Sequence, residues 1–369
     1  MSTYNIAIRQ RITMKNLKKV VLLPLLLALI TACSDGNNNN NMRPTLTLAF
    51  TDAPIELMNV AANFAQDVRY GDAERNVLDI YLPDCDEPTP LVIYVHGGGF
   101  TGGDKSGTHT QNSAGIHEFL QSCVAYATIN YTLLKVPSEE EGTQSAIAQG
   151  GVLPSLTDAA RALQFMRYHF QSLNLDPENV AMYGASAGAG ASLWMGTHDE
   201  LADSGNADPV LRESSRIKAV GAIATQSTYD LLLWENILLP ITEPFSELLG
   251  GTDIPTVAAA VGASNYLLTF LGVGSIADIA SDENVAYRAN VNMLGLMDAS
   301  DAPIFVNNFD VGLSDLLNAF LHHGLHALAV RDRANEVGLH NVTYVDDPVY
   351  GVEDPSGENL TSFLLRHIR

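Results

Sequence analysis

The stretch that most restricts the fold is Asn179-Val180-Ala181-Met182-Tyr183-Gly184-Ala185-Ser186-Ala187-Gly188-Ala189-Gly190, where a short apolar run enters a serine flanked by small residues. It reads as a strand, a sharp turn and a helix. To present its hydroxyl from the tip of that turn, Ser186 needs a strained backbone, and Gly184 and Gly188 remove the side chains that would clash there. The helix starting just after Ser186 would aim its positive end at any oxyanion formed beside it. A single string of this kind arises readily in Gly/Ala-rich loops, so its surroundings carry the argument.

Upstream, Val77-Leu78-Asp79-Ile80-Tyr81-Leu82-Pro83 alternates as a half-exposed strand does, and Leu91-Val92-Ile93-Tyr94-Val95 is continuously apolar, as suits a strand covered on both faces. His96-Gly97-Gly98-Gly99-Phe100 follows at the C-terminal end of that second strand, and its three glycines let backbone N–H groups approach a ligand closely. Residues 111–121 read as a short helix, Val124 to Tyr131 as a strand and residues 136–151 as a polar excursion. Leu156 to Phe170 carries apolar residues at helical spacing, and Asp176-Pro177-Glu178 turns the chain into the Ser186 strand. Further strands are expected at residues 220–225, 302–307 and 341–345, with a last helix near 358–368. Alternating strands and helices predict an α/β domain, a mostly parallel sheet with helices on both faces.

The order of Leu78-Asp79-Ile80-Tyr81-Leu82-Pro83, His96-Gly97-Gly98-Gly99-Phe100, Asp176-Pro177-Glu178 and Gly184-Ala185-Ser186-Ala187-Gly188 resembles that of the α/β-hydrolase carboxylesterases. The chain is similar to their HGGG-bearing members, the hormone-sensitive-lipase-like and feruloyl-esterase-like groups. The resemblance implies an eight-stranded α/β-hydrolase sheet, with residues 220–225 and 302–307 as strands six and seven. Between those two, residues 229–290 form a helical insertion, expected to be a lid or else to thicken the core. The resemblance also assigns an oxyanion hole to the backbone N–H groups of Ala187, Gly97 and Gly98, with His96 holding the loop.

Ester hydrolysis by serine needs a base for the hydroxyl proton and an acid to orient that base. In most of these hydrolases the acid follows the seventh strand and the histidine the eighth. Asp310 fits the acid, but Asp346 to Pro355 after the eighth strand contains no histidine. His340 and His367 belong to the opposite edge of the sheet and the terminal helix. The cluster His322-His323-Gly324-Leu325-His326 leaves the same carboxyl edge as Ser186, so a displaced base is expected there: His323 first, with His322 and His326 behind it. Its acid would be Asp310, Asp315 or, in a swapped arrangement, Asp347. The same histidines could instead cap the helix starting near Leu325. H-H-x-x-H without a defined acidic partner speaks against a metal site.

The first 32 residues order Arg9, Arg11, Lys15, Lys18 and Lys19, then apolar Val20 to Ile30, then Thr31-Ala32, as a secretory signal peptide does. Ile30-Thr31-Ala32-Cys33 resembles a bacterial lipobox, so Cys33 is the expected lipidation site and residues 33–50, Asn-rich at the start, the tether of a domain spanning 51–369. The expected location is the bacterial cell envelope, reached through a lipid anchor. The net charge of −22 becomes −27 without the five positive charges of residues 1–32, which speaks against nucleic acid as a partner. Of three cysteines, Cys85 and Cys123 come together if residues 76–82 pair antiparallel with 124–131, and export permits a disulfide between them.

These readings converge on a serine carboxylesterase acting on small or medium apolar acyl esters through an acyl-enzyme, with a small-molecule substrate and no cofactor. The alternatives are a catalytically impaired relative used for binding, and a peptidase or lactonase using the same serine. No feature of the sequence speaks to oligomeric state.

Overall fold

The structure is a computed structural model and describes residues 43–138, 141–309 and 316–369. The signal peptide of residues 1–32, the lipidation site Cys33 and the candidate acids Asp310 and Asp315 lie outside the described residues.

Among the described residues nine strands form one sheet: β1 (Phe50–Thr51), β2 (Ala62–Arg69), β3 (Val77–Pro83), β4 (Thr89–Val95), β5 (Ala125–Ile129), β6 (Leu175–Ala185), β7 (Ala219–Ile223), β8 (Ile304–Phe309) and β9 (Asn341–Asp346). Their order is β1-β2-β3-β5-β4-β6-β7-β8-β9. The pairs from β1 to β5 through β3 are antiparallel, and every pair from β5 through β4 to β9 is parallel. The expected eight strands are thus joined by the two-residue edge strand β1. Neither β1 nor β2 has a clear signature in the sequence. The two-residue alternation of β2 breaks at a register shift between Ala65 and Val68, where Asp67 takes a φ of 55°.

The helices that position the site are α1 (Ser106–Gln111), α2 (Ser113–Gln121), α3 (Leu153–Tyr168), α4 (Ala187–Thr197), α5 (Ile254–Ala260), α6 (Ser264–Leu271), α7 (Leu316–His322), α8 (Gly324–Val337) and α9 (Leu360–Ile368). The helix expected over 111–121 is α2, and a further short helix, α1, precedes it, separated at Asn112, whose ψ of 20° leaves the helical well. On one face of the sheet, Phe119 and Leu120 of α2 pack with Phe363 and Leu364 of α9 against Val92, Tyr126 and Phe305. Leu163 of α3, Trp194 of α4 and Val330 of α8 belong to the larger core on the other face. Every residue of α4 is buried, so this helix runs through the interior rather than over it. β3 is not half-exposed as its alternation predicts: six of its seven residues are buried. Its polar-looking face carries Asp79, which Lys105, just before α1, and His109 of α1 cover.

Arg43 to Leu48 lies on this unit. Arg43 donates to the carbonyls of Arg167 and Tyr168, and Leu46 and Leu48 pack against the core. Two leucines in this run have apolar surface to bury, which the asparagines before them lack.

β3 and β5 pair antiparallel as expected, and Cys85 and Cys123 form a disulfide with their Cα atoms 6.2 Å apart. The bridge closes a separation of 38 residues. The chain-entropy relation gives a loop of that size about 4 kcal/mol, so urea unfolding of Cys85→Ala/Cys123→Ala should show a loss of that order with the fold retained. A loss below about 1 kcal/mol would mean that the loop is already ordered in the unfolded chain.

Candidate active site

Parallel strands β4, β6, β7, β8 and β9 all end at one edge of the sheet, and the chemistry-bearing residues gather there. β6 stops at Ala185, and Ser186 takes φ 53° and ψ −122° before α4 begins at Ala187. A side chain at Gly188 would overlap the carbonyl of Val95, so only glycine lets the elbow nest against the end of β4. A β-carbon on Gly97 would lie 2.8 Å from the Ala185 carbonyl oxygen and 3.2 Å from Ser186 Cβ, which shows how closely the glycine loop packs on the serine.

His96 holds that loop, as its sequence context implied. Its Nδ1 donates to the Gly97 carbonyl at 2.7 Å, and its ring stacks on Tyr131 with centroids 4.4 Å apart. Tyr131 in turn donates to the His96 carbonyl at 2.7 Å. Burial draws the His96 pKa below its ordinary value, so the ring is neutral at pH 7. From the insertion, Tyr266 of α6 donates to the Gly99 carbonyl at 2.9 Å, tying the insertion to the same loop.

The imidazole that meets the serine is that of His322. Its Nε2 lies 2.8 Å from Ser186 Oγ, and its Nδ1 lies 2.6 Å from Oδ1 of Asn318, one turn earlier on α7. The consistent tautomer has Nδ1–H donating to Asn318 and Nε2 accepting from the serine hydroxyl.

His323, favoured from the sequence, faces elsewhere. Its Nδ1 accepts from the Leu325 N–H at 3.2 Å, so it caps α8, and its Nε2 lies 3.9 Å from Asp347 Oδ2. The reason is geometric: α7 ends at His322, the chain leaves the helix at His323 with ψ 146°, and successive side chains there diverge. His326 is fully buried, its Nε2 donating to the Phe320 carbonyl at 2.8 Å and its Nδ1 3.0 Å from Ser227 Oγ. The swapped acid Asp347 meets His323 and accepts from the Val349 and Tyr350 N–H groups. Asn318 was not anticipated. Its signal is its position four residues before His322 on a helix, which puts both side chains on one face.

Ser186 and His322 open onto a cavity of about 280 Å³. Gly98, Gly99 and Ala187 line it near the serine, and Val257, Ala258 and Leu267 of the insertion form its far wall. The insertion therefore walls the site, and through Phe270 and Leu271 it also adds to the core. Gln226 is among the few polar side chains at the cavity surface. An apolar cavity of this form suits an acyl chain lying away from a serine-bound carbonyl. Among the described residues no group of acidic, histidine and cysteine side chains could hold a metal ion.

The BD-FAE family model matches residues 78–293, from β3 to the end of the insertion, and so stops short of the segment that carries His322. The chain is 27% identical over 186 residues to the probable isoprenylcysteine alpha-carbonyl methylesterase ICMEL1 of Arabidopsis thaliana, a match covering 47% of this chain and 35% of that protein. It is 26% identical over 209 residues to the probable carboxylic ester hydrolase LipM of Mycobacterium tuberculosis, covering 54% of this chain and 43% of that protein. It therefore spans about a third to a half of the length of these curated relatives. Among solved structures, a truncated form of a carbohydrate esterase from gut microbiota superposes with a TM-score of 0.55 at 15% identity, over 82% of this chain and 95% of that one. At that identity the likeness is one of fold.

Proposed function

The chain belongs to the BD-FAE family of α/β-hydrolase esterases, and from that premise we propose that it is a serine carboxylesterase hydrolysing esters of small or medium apolar acids through an acyl-enzyme. The observation that carries the reading is the 2.8 Å contact between Ser186 Oγ and His322 Nε2 at the mouth of an apolar cavity. Ser186 Oγ attacks the acyl carbonyl as its proton passes to His322 Nε2. The resulting oxyanion lies against the backbone N–H groups of Ala187, Gly97 and Gly98 and the positive end of α4. Collapse expels the alcohol, which takes the proton from His322. A water then gives its proton to His322 and attacks the acyl-enzyme, and Ser186 regains its hydrogen as the acid leaves.

Asp310, next in sequence after the last residue of β8, is the carboxylate proposed to stabilise the imidazolium of His322; Asn318 helps fix its tautomer. The binding-module alternative rested on the lack of a histidine after β9, and His322 removes that ground. An envelope location with a lipid on Cys33 belongs to the same reading, and the disulfide is consistent with export.

The test is incubation with a fluorophosphonate probe and with p-nitrophenyl esters from acetate to decanoate, alongside Ser186→Ala. The parent protein should label and should turn over medium-chain esters at least as well as acetate, and Ser186→Ala should do neither. A parent protein that neither labels nor hydrolyses any ester sinks the enzyme reading. Activity confined to acetate sinks the assignment of the cavity to the acyl chain.

A further inference from the structure

His322 is the last residue of α7, where the helix leaves its carbonyls open. Its main chain is gripped from outside by three buried side chains. The carbonyl of Phe320 accepts from His326 Nε2 at 2.8 Å, and that of Leu321 accepts from Gln226 Nε2 at 2.7 Å. The carbonyls of His322 and His323, 3.1 and 3.3 Å from Asn308 Nδ2, share one of its two N–H groups. Four consecutive carbonyls where α7 ends, groups that a helix leaves without internal partners, are thus met one after another.

The three side chains are themselves fixed. Asn308 Oδ1 accepts from the Thr225 N–H at 2.9 Å, and its Nδ2 donates to the Thr225 carbonyl at 3.0 Å. His326 Nδ1 accepts from the Ser227 N–H at 3.3 Å, and its ring packs on Trp234 with centroids 4.8 Å apart. Burial pushes His326 down to about 4, so at neutral pH it has one N–H, and the Phe320 carbonyl receives it. Gln226, Asn308 and His326 are 4%, 0% and 0% exposed. They come from the loop after β7, from β8 and from α8, so the grip ties α7 to two neighbouring strand ends and to the following helix.

We infer that Asn308, Gln226 and His326 are positioning residues of the reaction: by holding the carbonyls of residues 320–323 they set the rotation of α7 so that His322, and not His323, meets Ser186. The inference rests on the reading of His322 as the base. None of the three touches the reacting atoms, and each acts through the main chain of the base.

The experiment compares Gln226→Met and His326→Leu, which remove a donor, with His326→Gln, which restores an amide N–H near the position of Nε2, and with His322→Ala. For each, kcat/KM on p-nitrophenyl butyrate is followed from about pH 5 to about pH 9, together with the inhibition constant of hexanamide and the melting temperature. A base displaced by about 1 Å loses about 10²-fold. Gln226→Met and His326→Leu should therefore fall about 10- to 100-fold in kcat/KM, and in His326→Leu, whose side chain lies off the cavity, hexanamide inhibition should stay within about twofold. The imidazole plateau of their pH profiles should give way to a rate that climbs with hydroxide, and His326→Gln should recover most of the loss.

If His322→Ala is inactive but both donor-removing variants keep parent rates, the inference fails and the reading of the base stands. If activity drops only in step with the melting temperature and the imidazole plateau survives, the residues are merely structural and the inference fails likewise. If His322→Ala itself keeps parent activity, the reading of the base fails first and takes the inference with it. Should His326→Leu not fold, Gln226→Met decides, because its side chain faces the cavity and methionine matches its length.

Discussion

Replacing His322 by alanine is expected to lower kcat/KM for a medium-chain ester by about 10⁴- to 10⁶-fold, the range seen when the base of a serine hydrolase is deleted. The neighbouring change His323→Ala is expected to leave the rate within a few-fold of the parent. Its cost should be one of stability, about 1 kcal/mol for the helix cap that His323 provides to the Leu325 N–H. The contrast is sharp because the two residues are adjacent and chemically identical, and only their directions differ. Steady-state kinetics with both variants, and imidazole added to His322→Ala to restore part of the lost rate, check the assignment. The reverse pattern, an inactive His323→Ala beside an active His322→Ala, would move the base by one residue and make the contact at Ser186 incidental.

A second large effect is expected away from the cavity, at Asp79. Its Oδ1 lies 2.7 Å from Lys105 Nζ and its Oδ2 lies 2.9 Å from His109 Nε2, and it also accepts from the Asp67 N–H at 2.8 Å. Asp79 and Lys105 are almost wholly buried. Burial alone would raise the Asp79 carboxyl, but the bonds from His109, Lys105 and the Asp67 amide together hold it below the usual carboxylate range. Deleting its carboxylate leaves the buried Lys105 with only the exposed carboxylate of Asp67, 2.7 Å from Nζ, so Asp79→Ala should cost about 3 kcal/mol.

The consequence reaches the site. Lys105 ends the loop that begins at His96, and its N–H donates to Asn130 Oδ1 at 2.7 Å. Without Asp79, that end of the glycine loop keeps its bond to Asn130 and the ion pair with Asp67 but loses its buried counter-charge, and kcat should fall along with the melting temperature. A carboxyl with a depressed folded pKa contributes stability that is present above its unfolded value and lost as pH falls through the folded one. The parent should therefore hold its stability down to about pH 4 and lose it progressively below. Asp79→Asn should remove that part of the acid dependence while lowering stability at neutral pH. Urea unfolding at several pH values measures both, and a neutral-pH loss below about 1 kcal/mol would show the ion set to be dispensable.

Much of the scaffold was legible without coordinates because it rests on short-range rules. The apolar run before Ser186, the glycines around it and the glycine loop after β4 each describe a local backbone requirement, and each is met where it was read. The disulfide was legible for a related reason: antiparallel pairing of β3 and β5 brings the two cysteines together by register alone. β2 escaped because a bulge interrupts its alternation. The alternation of β3 does not translate into exposure because Asp79 on its polar face is covered by Lys105 and His109, and alternation cannot distinguish a solvated carboxylate from a buried, paired one.

The sequence by itself determined that a serine would stand at a strand-to-helix elbow beside a glycine loop, and that the residues to activate it would come from the carboxyl edge of one parallel sheet. It also narrowed the imidazole that faces Ser186 to three histidines within five positions. Only the tertiary structure decided among them. The direction of a side chain at the end of a helix depends on where its carbonyls are held, and here they are held by Gln226, Asn308 and His326. Two of those residues lie far from His322 in sequence, and their effect is carried by hydrogen bonds that no spacing or periodicity records.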